Sequence, residues 1–91
     1  MLKELFGNQT KIKILKVFFE KPDGEFYQRE IVKKTGLPLT NVQYELKKLE
    51  KIKLLKKREK QNRTFYKINR EFLFYPELRD IIFKAVQNDL I

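Results

Sequence analysis

QREIVKKTGLPLTNVQYELKKLEKIKLLKKREKQNR, residues 28–63, is the stretch that decides how this 91-residue chain folds. In its first part Ile31 and Val32 are the inward positions of a helix that opens at Gln28 or Arg29. Gly36 follows the last periodic residue, where a glycine stops a helix by taking the left-handed conformation. Leu37, Pro38 and Leu39 make a turn, and Leu39 or Thr40 opens a second helix that runs to about Ile52. Residues 54–59 and 64–68 then alternate as two strands around Lys60, Gln61, Asn62 and Arg63, with Asn62 suited to the left-handed backbone of a tight hairpin. Two helices joined by a short glycine-containing turn and followed by a ribbon have the layout of a helix-turn-helix with a wing.

The same stretch carries nearly all of the excess charge. It holds 12 cations and 4 anions, net +8 of the chain's +9, while the segments before and after it are close to neutral. A basic tract between near-neutral flanks is the electrostatic footprint of a polyanion-binding surface rather than a general solubility charge.

Composition narrows the function further. With 42% hydrophobic and 13% aromatic residues and few Gly or Pro, the chain is that of one folded domain, residues 1–91, with a modest core. It contains no Cys and no His. Disulfides, thiolate or imidazole metal sites and His-activated nucleophiles are therefore absent, and the acidic residues show neither metal-loop spacing nor a phosphate-cradling glycine loop beside them. No enzyme activity, metal or cofactor is expected. There is no apolar run of about 18 residues and no secretion leader, so a cytoplasmic location is expected.

Outside the central stretch, residues 1–6 form a short lead of about one helical turn, and residues 10–20 a first helix capped by Asn8 or Thr10. Ile12, Ile14, Leu15, Val17, Phe18 and Phe19 spread over an arc of about 220° on that helix, wider than one small core should need. Lys21-Pro22-Asp23-Gly24 is a turn and Phe26-Tyr27 a short strand. Beyond the hairpin, an aromatic connection with Phe72, Phe74 and Tyr75 leads to a last helix, residues 76–90, started by Pro76. The fold class is mainly α with a small β-hairpin, in the order α-β-α-α-β-β-α. Its aromatic residues are expected to fill the core and a subunit interface rather than a ligand pocket.

On a wheel of about 100° per residue the third helix separates into two faces. Val42, Leu46 and Leu49 define the core side. Opposite them lie Thr40, Tyr44, Lys47, Lys48 and Lys51, flanked by Asn41 and Gln43, whereas Glu45 and Glu50 stay beside the core. Amides, a hydroxyl, a phenol and ammonium groups without a carboxylate suit the major groove of duplex DNA, whose base edges pair with Asn, Gln and Lys. The wing would place Lys56, Arg58, Lys60 and Arg63 on the backbone or in the minor groove, and Arg29, Lys33 and Lys34 would reach flanking phosphates.

Four fragments, LFGNQTKIKIL, EFYQREIVKKTGLPLTNVQYELKKLEK, NRTFYKIN and FYPELR, resemble in order and spacing the ArsR-like winged-helix transcriptional regulators. The resemblance covers nearly the whole chain and is nearer to the prokaryotic subgroup also found in front of nucleotidyltransferase domains. It implies a sequence-specific, dimeric transcriptional regulator that binds double-stranded DNA, with residues 40–51 as recognition helix and 56–63 as wing. Two departures stand out. Lys53 occupies the place where the family usually has a glycine ending the recognition helix, and a left-handed non-glycine residue costs about 1 kcal/mol, so a longer or strained helix end is expected. Metal-sensing members use Cys and His ligands that this chain lacks.

A homodimer is expected through the first and last helices, from the surplus arc that includes Ile14 and Phe18 and from the stripe Leu78, Ile81, Ile82, Ala85 and Val86. The rival reading, from a different class, is an adaptor for a separately encoded protein such as a nucleotidyltransferase.

Overall fold

The structure is a computed structural model that describes Glu4 and residues 7–91. The lead expected over residues 1–6 lies, apart from Glu4, outside the described residues. The elements are α1 (Gln9–Glu20), β1 (Phe26–Tyr27), α2 (Gln28–Thr35), α3 (Leu39–Lys51), β2 (Leu55–Lys60), β3 (Arg63–Ile68) and α4 (Tyr75–Gln87). This is the expected order. Each helix begins or ends within about three residues of its expected place.

Local chemistry sets these boundaries. Asn8 caps α1 by accepting the Lys11 backbone N–H on Oδ1 at 2.8 Å, so the helix starts at Gln9. At the start of α2 the Glu30 carboxylate accepts the Tyr27 N–H at 3.1 Å. Gly36 ends α2 with φ 73°, its N–H bonded to the Val32 carbonyl. The Thr35 hydroxyl completes the turn, donating to Ile31 O at 2.6 Å while accepting the Leu37 N–H at 3.2 Å.

The end of α3 is neither prolonged nor frayed. Lys53 takes φ 72°, and the Lys53 and Leu54 N–H groups bond to the Glu50 and Leu49 carbonyls, both at 3.0 Å. That is the Schellman pattern with lysine in the glycine position. Asn69 clamps it from outside, donating its side-chain amide to Lys53 O and its backbone N–H to Leu54 O, each at 2.8 Å.

The hairpin is tighter than expected. Lys60 and Arg63 are the last paired residues of the strands, so the turn is Gln61-Asn62 alone, with φ of 52° and 63°. Positive φ at both positions is the type I′ geometry that matches strand twist. The three strands form an antiparallel sheet in the order β1-β3-β2, in which Phe26 pairs with Tyr66 and Tyr27 with Phe65.

Ile14, Leu15 and Phe18 of α1, Ile31 of α2, Val42, Leu46 and Leu49 of α3, Tyr66 and Ile68 of β3 and Ile82 of α4 form one core. The wide apolar arc of α1 is thus explained within a single chain. Ile12, Ile14, Leu15 and Phe18 are all buried, and Val17 and Phe19 pack against the core from its edge. Because α1 is wrapped by α2, α3, α4 and the sheet, Ile14 and Phe18 have no surface for a partner, which corrects their assignment to a subunit interface.

Candidate nucleic-acid interface

Helix α3 presents two chemically opposite sides. Its core side is Val42, Leu46 and Leu49, and its outer side exposes Thr40, Asn41, Tyr44, Lys47, Lys48 and Lys51, with Tyr44 at 64%. The Lys48 ammonium sits over the Tyr44 ring, 5.0 Å from its centroid. Neither acidic residue of the helix reaches the outer face. Glu50 is half-buried, and Glu45 is buried with its Oε1 3.5 Å from the Asn8 amide and 4.0 Å from the Lys48 ammonium. Asn8 therefore serves both as cap of α1 and as a clip onto α3.

Gln43 is half-buried rather than free. Its side-chain amide donates to the Gln28 side-chain carbonyl at 3.1 Å, tying α3 to the first residue of α2.

Sheet register builds a second cationic surface. Directly opposed residues of neighbouring strands share a face. The pairs Lys56 with Lys67, Arg58 with Phe65, Lys60 with Arg63 and Tyr27 with Phe65 therefore put Lys56, Arg58, Lys60, Arg63 and Lys67 around the Tyr27–Phe65 aromatic pair. The two rings meet edge to face at 5.6 Å, and the Arg63 guanidinium lies 4.5 Å over the Tyr27 ring. Five cations on strands only about 4.8 Å apart repel one another unless an anion lies against them. One anion is already present: Arg58 forks onto Glu25 through Nε at 3.0 Å and Nη2 at 2.6 Å.

The remaining expected residues divide. Arg29 and Lys33 are exposed on α2. Lys34 turns the other way, its ammonium 5.6 Å from the centroid of Phe26 and beside Lys13, Lys16 and Lys21, on the α1 side of the molecule. Of the stripe on α4, Ile82 and Ala85 are buried in the chain's own core, Leu78 and Val86 are half-buried, and Ile81 is 41% exposed.

Three residues that position the surface escaped the sequence reading: Gln28, which holds Gln43; Glu25, which holds Arg58; and Tyr27, which carries Arg63. Each partnership spans 15 to 36 positions of sequence, so no local periodicity announces it. Among the described residues no group of His, Cys, Asp or Glu is placed to hold a metal ion, and no helix is long and apolar enough to cross a membrane.

No protein-family model matches the sequence, and no curated protein matches it either. Solved structures do match. A possible transcriptional regulator from Methanosarcina mazei Go1 superposes with a TM-score of 0.66 at 24% identity, covering 96% of this chain and 74% of that one. The homodimeric winged helix-turn-helix DNA-binding domain of a possible ArsR-family regulator from Mycobacterium bovis gives 0.68 at 22% identity, over 96% and 76%. MepR, a transcription regulator of the Staphylococcus aureus multidrug efflux pump MepA, gives 0.72 at 19%, over 98% and 67%. At these identities the likeness establishes the architecture: among the described residues from Gln9 onward, four helices and a three-stranded antiparallel sheet arranged as a winged helix-turn-helix.

Proposed function

We propose that the chain is a sequence-specific, double-stranded-DNA-binding transcriptional regulator of the ArsR-like kind, acting as a homodimer in the cytoplasm. Helix α3 enters the major groove and the wing lies on the backbone or in the minor groove. The observation that carries this reading is the outer face of α3: polar and cationic throughout, with both carboxylates of the helix withdrawn toward the core. Burying Glu45 clips α1 onto α3 through Asn8, and it also removes negative charge from a helix face that would meet phosphates. The basic sheet face supplies further cations, and DNA binding by the winged-helix neighbour from Mycobacterium bovis supports the assignment. An RNA duplex suits the surface less, because its major groove is too narrow for a helix.

Fluorescence anisotropy with labelled duplex DNA over a salt series tests the proposal. With six to ten phosphate contacts per dimer, affinity is expected to fall roughly 1,000-fold to 100,000-fold between about 50 and 200 mM salt. A flat salt profile, or equal binding of duplex RNA, overturns it.

A further inference from the structure

Helices α1 and α2 bound a cavity of about 600 Å³, within the size range of small-molecule sites. Its lining is divided. Lys13, Lys16, Lys21 and Lys34 bring four ammonium groups to it against the side-chain carboxylate of Glu20 and the terminal carboxylate of Ile91, while half-buried Val17 and the Ile91 side chain, beside the edge of buried Phe26, supply apolar surface. Among the described residues none of the four ammonium groups is in an ion pair. The Thr35 hydroxyl also lines the cavity, but its proton is committed to Ile31 O, so the donors left for a ligand are the lysines.

The apolar part is firmly placed. Phe26 packs edge to face on Phe18 at 5.5 Å and lies against Gly24, where an added Cβ would come within 2.8 Å of the ring. Half-buried Val17 and Ile91 beside the edge of buried Phe26, among ammonium groups without an ion pair, differ from a solvated lysine face, in which flexible side chains spread apart into water. They also differ from a phosphate-backbone contact, which has no use for an apolar floor.

We propose that this cavity binds a small organic carboxylate with a hydrocarbon body, an acyl or aryl acid. Its carboxylate sits among Lys13, Lys16 and Lys34, and its body covers Val17 and Ile91 beside Phe26. Both halves are needed: the head gains charge-assisted hydrogen bonds and the body removes apolar surface from water.

The test is an amide-resolved NMR titration of the whole chain with octanoate, with octan-1-ol and inorganic phosphate as head-less and body-less controls. Octanoate is expected to shift the Val17, Phe26 and Thr35 amides saturably, and each control to bind at least about tenfold more weakly, the worth of one charge-assisted hydrogen bond. Lys16→Gln with Lys34→Gln is expected to weaken octanoate by about tenfold or more, the unperturbed spectrum elsewhere showing the fold intact. Absence of saturable shifts up to about 10 mM octanoate, a weaker limit than any useful small-molecule site, overturns the proposal. Phosphate binding as tight as octanoate, or octanoate binding unchanged in the double variant, overturns it equally.

Discussion

The Arg58 guanidinium is held by both oxygens of the Glu25 carboxylate, at 3.0 and 2.6 Å, so one of the wing's strongest candidate phosphate contacts is already occupied by an internal anion. Arg58 is on β2 and Glu25 precedes β1, so the pair straps the two outer strands across β3. Its side chains are 57% and 32% exposed, which limits its worth to stability to below about 1 kcal/mol. Its larger effect is on the field of the basic face. Glu25→Gln is expected to tighten DNA binding at low salt and to steepen the salt slope by about 1, because one more guanidinium becomes available. Arg58→Ala is expected to change affinity little. Anisotropy at several salt concentrations decides this, and an Arg58→Ala slope reduced as much as that of Lys60→Ala would show that Arg58 leaves Glu25 for the DNA.

Lys53 takes φ 72° at the end of α3, where glycine would carry no Cβ strain. Lys53→Gly is therefore expected to stabilise the fold by up to about 1 kcal/mol. Asn69→Ala, which deletes the bond to Lys53 O, is expected to cost about 1 kcal/mol. Urea unfolding followed by circular dichroism measures both. A destabilised Lys53→Gly would mean that the side chain contributes more to the folded state than its backbone conformation costs.

What the sequence discloses here follows the range of each interaction. Gly36, Pro38 and the Val42, Leu46, Leu49 spacing act within a few residues, and the helices they define appear where expected. The outward positions of α3 follow from the same wheel. Phe26 and Tyr27 are legible as a strand, but a two-residue strand says nothing about its partner, and its pairing with β3 builds the aromatic centre of the sheet. Gln61 was hidden because its side chain gives no special preference for positive φ; the two-residue turn is imposed by the pairing of Lys60 with Arg63. The direction of Lys34 was not legible for a related reason. Charge along a helix tells which residues are polar, but the direction of one lysine depends on the neighbour it meets, here Phe26.

Self-association is best tested at Ile81. That side chain is 41% exposed on α4 while Ile82 beside it is 2% exposed, so the two substitutions ask different questions. Ile81→Glu is expected to shift a dimer to monomer across a light-scattering concentration series, with its melting temperature, measured under monomeric conditions, lowered only slightly. Ile82→Glu places a carboxylate in the core and is expected to unfold the chain, since burying an unpaired charge costs several kcal/mol. A monomeric parent protein at high micromolar concentration would refute the dimer, and a dimer indifferent to Ile81→Glu would move the interface off this face of α4.

The recognition helix and the wing are expected to divide the work of binding. Tyr44 is 64% exposed and free to reach a base edge, whereas Gln43 is held by Gln28 at 3.1 Å and so presents its remaining carbonyl and amide hydrogen in a fixed direction. A preoriented amide loses less entropy on pairing with adenine than a mobile one. Tyr44→Ala and Gln43→Ala should each cost about 1 to 3 kcal/mol on the preferred site and little on random duplex, narrowing the ratio between them. Gln28→Ala is expected to weaken the same ratio less, because it removes the orientation of Gln43 but not its groups. Lys60, at the wing tip beside the Gln61-Asn62 turn, should behave differently: Lys60→Ala weakens both duplexes alike and lowers the salt slope by about 1. Anisotropy titrations on a site selected from a random pool and on random duplex, at several salt concentrations, resolve these patterns. If neither Gln43→Ala nor Tyr44→Ala alters the specificity ratio in a folded protein, another face of α3 lies in the groove.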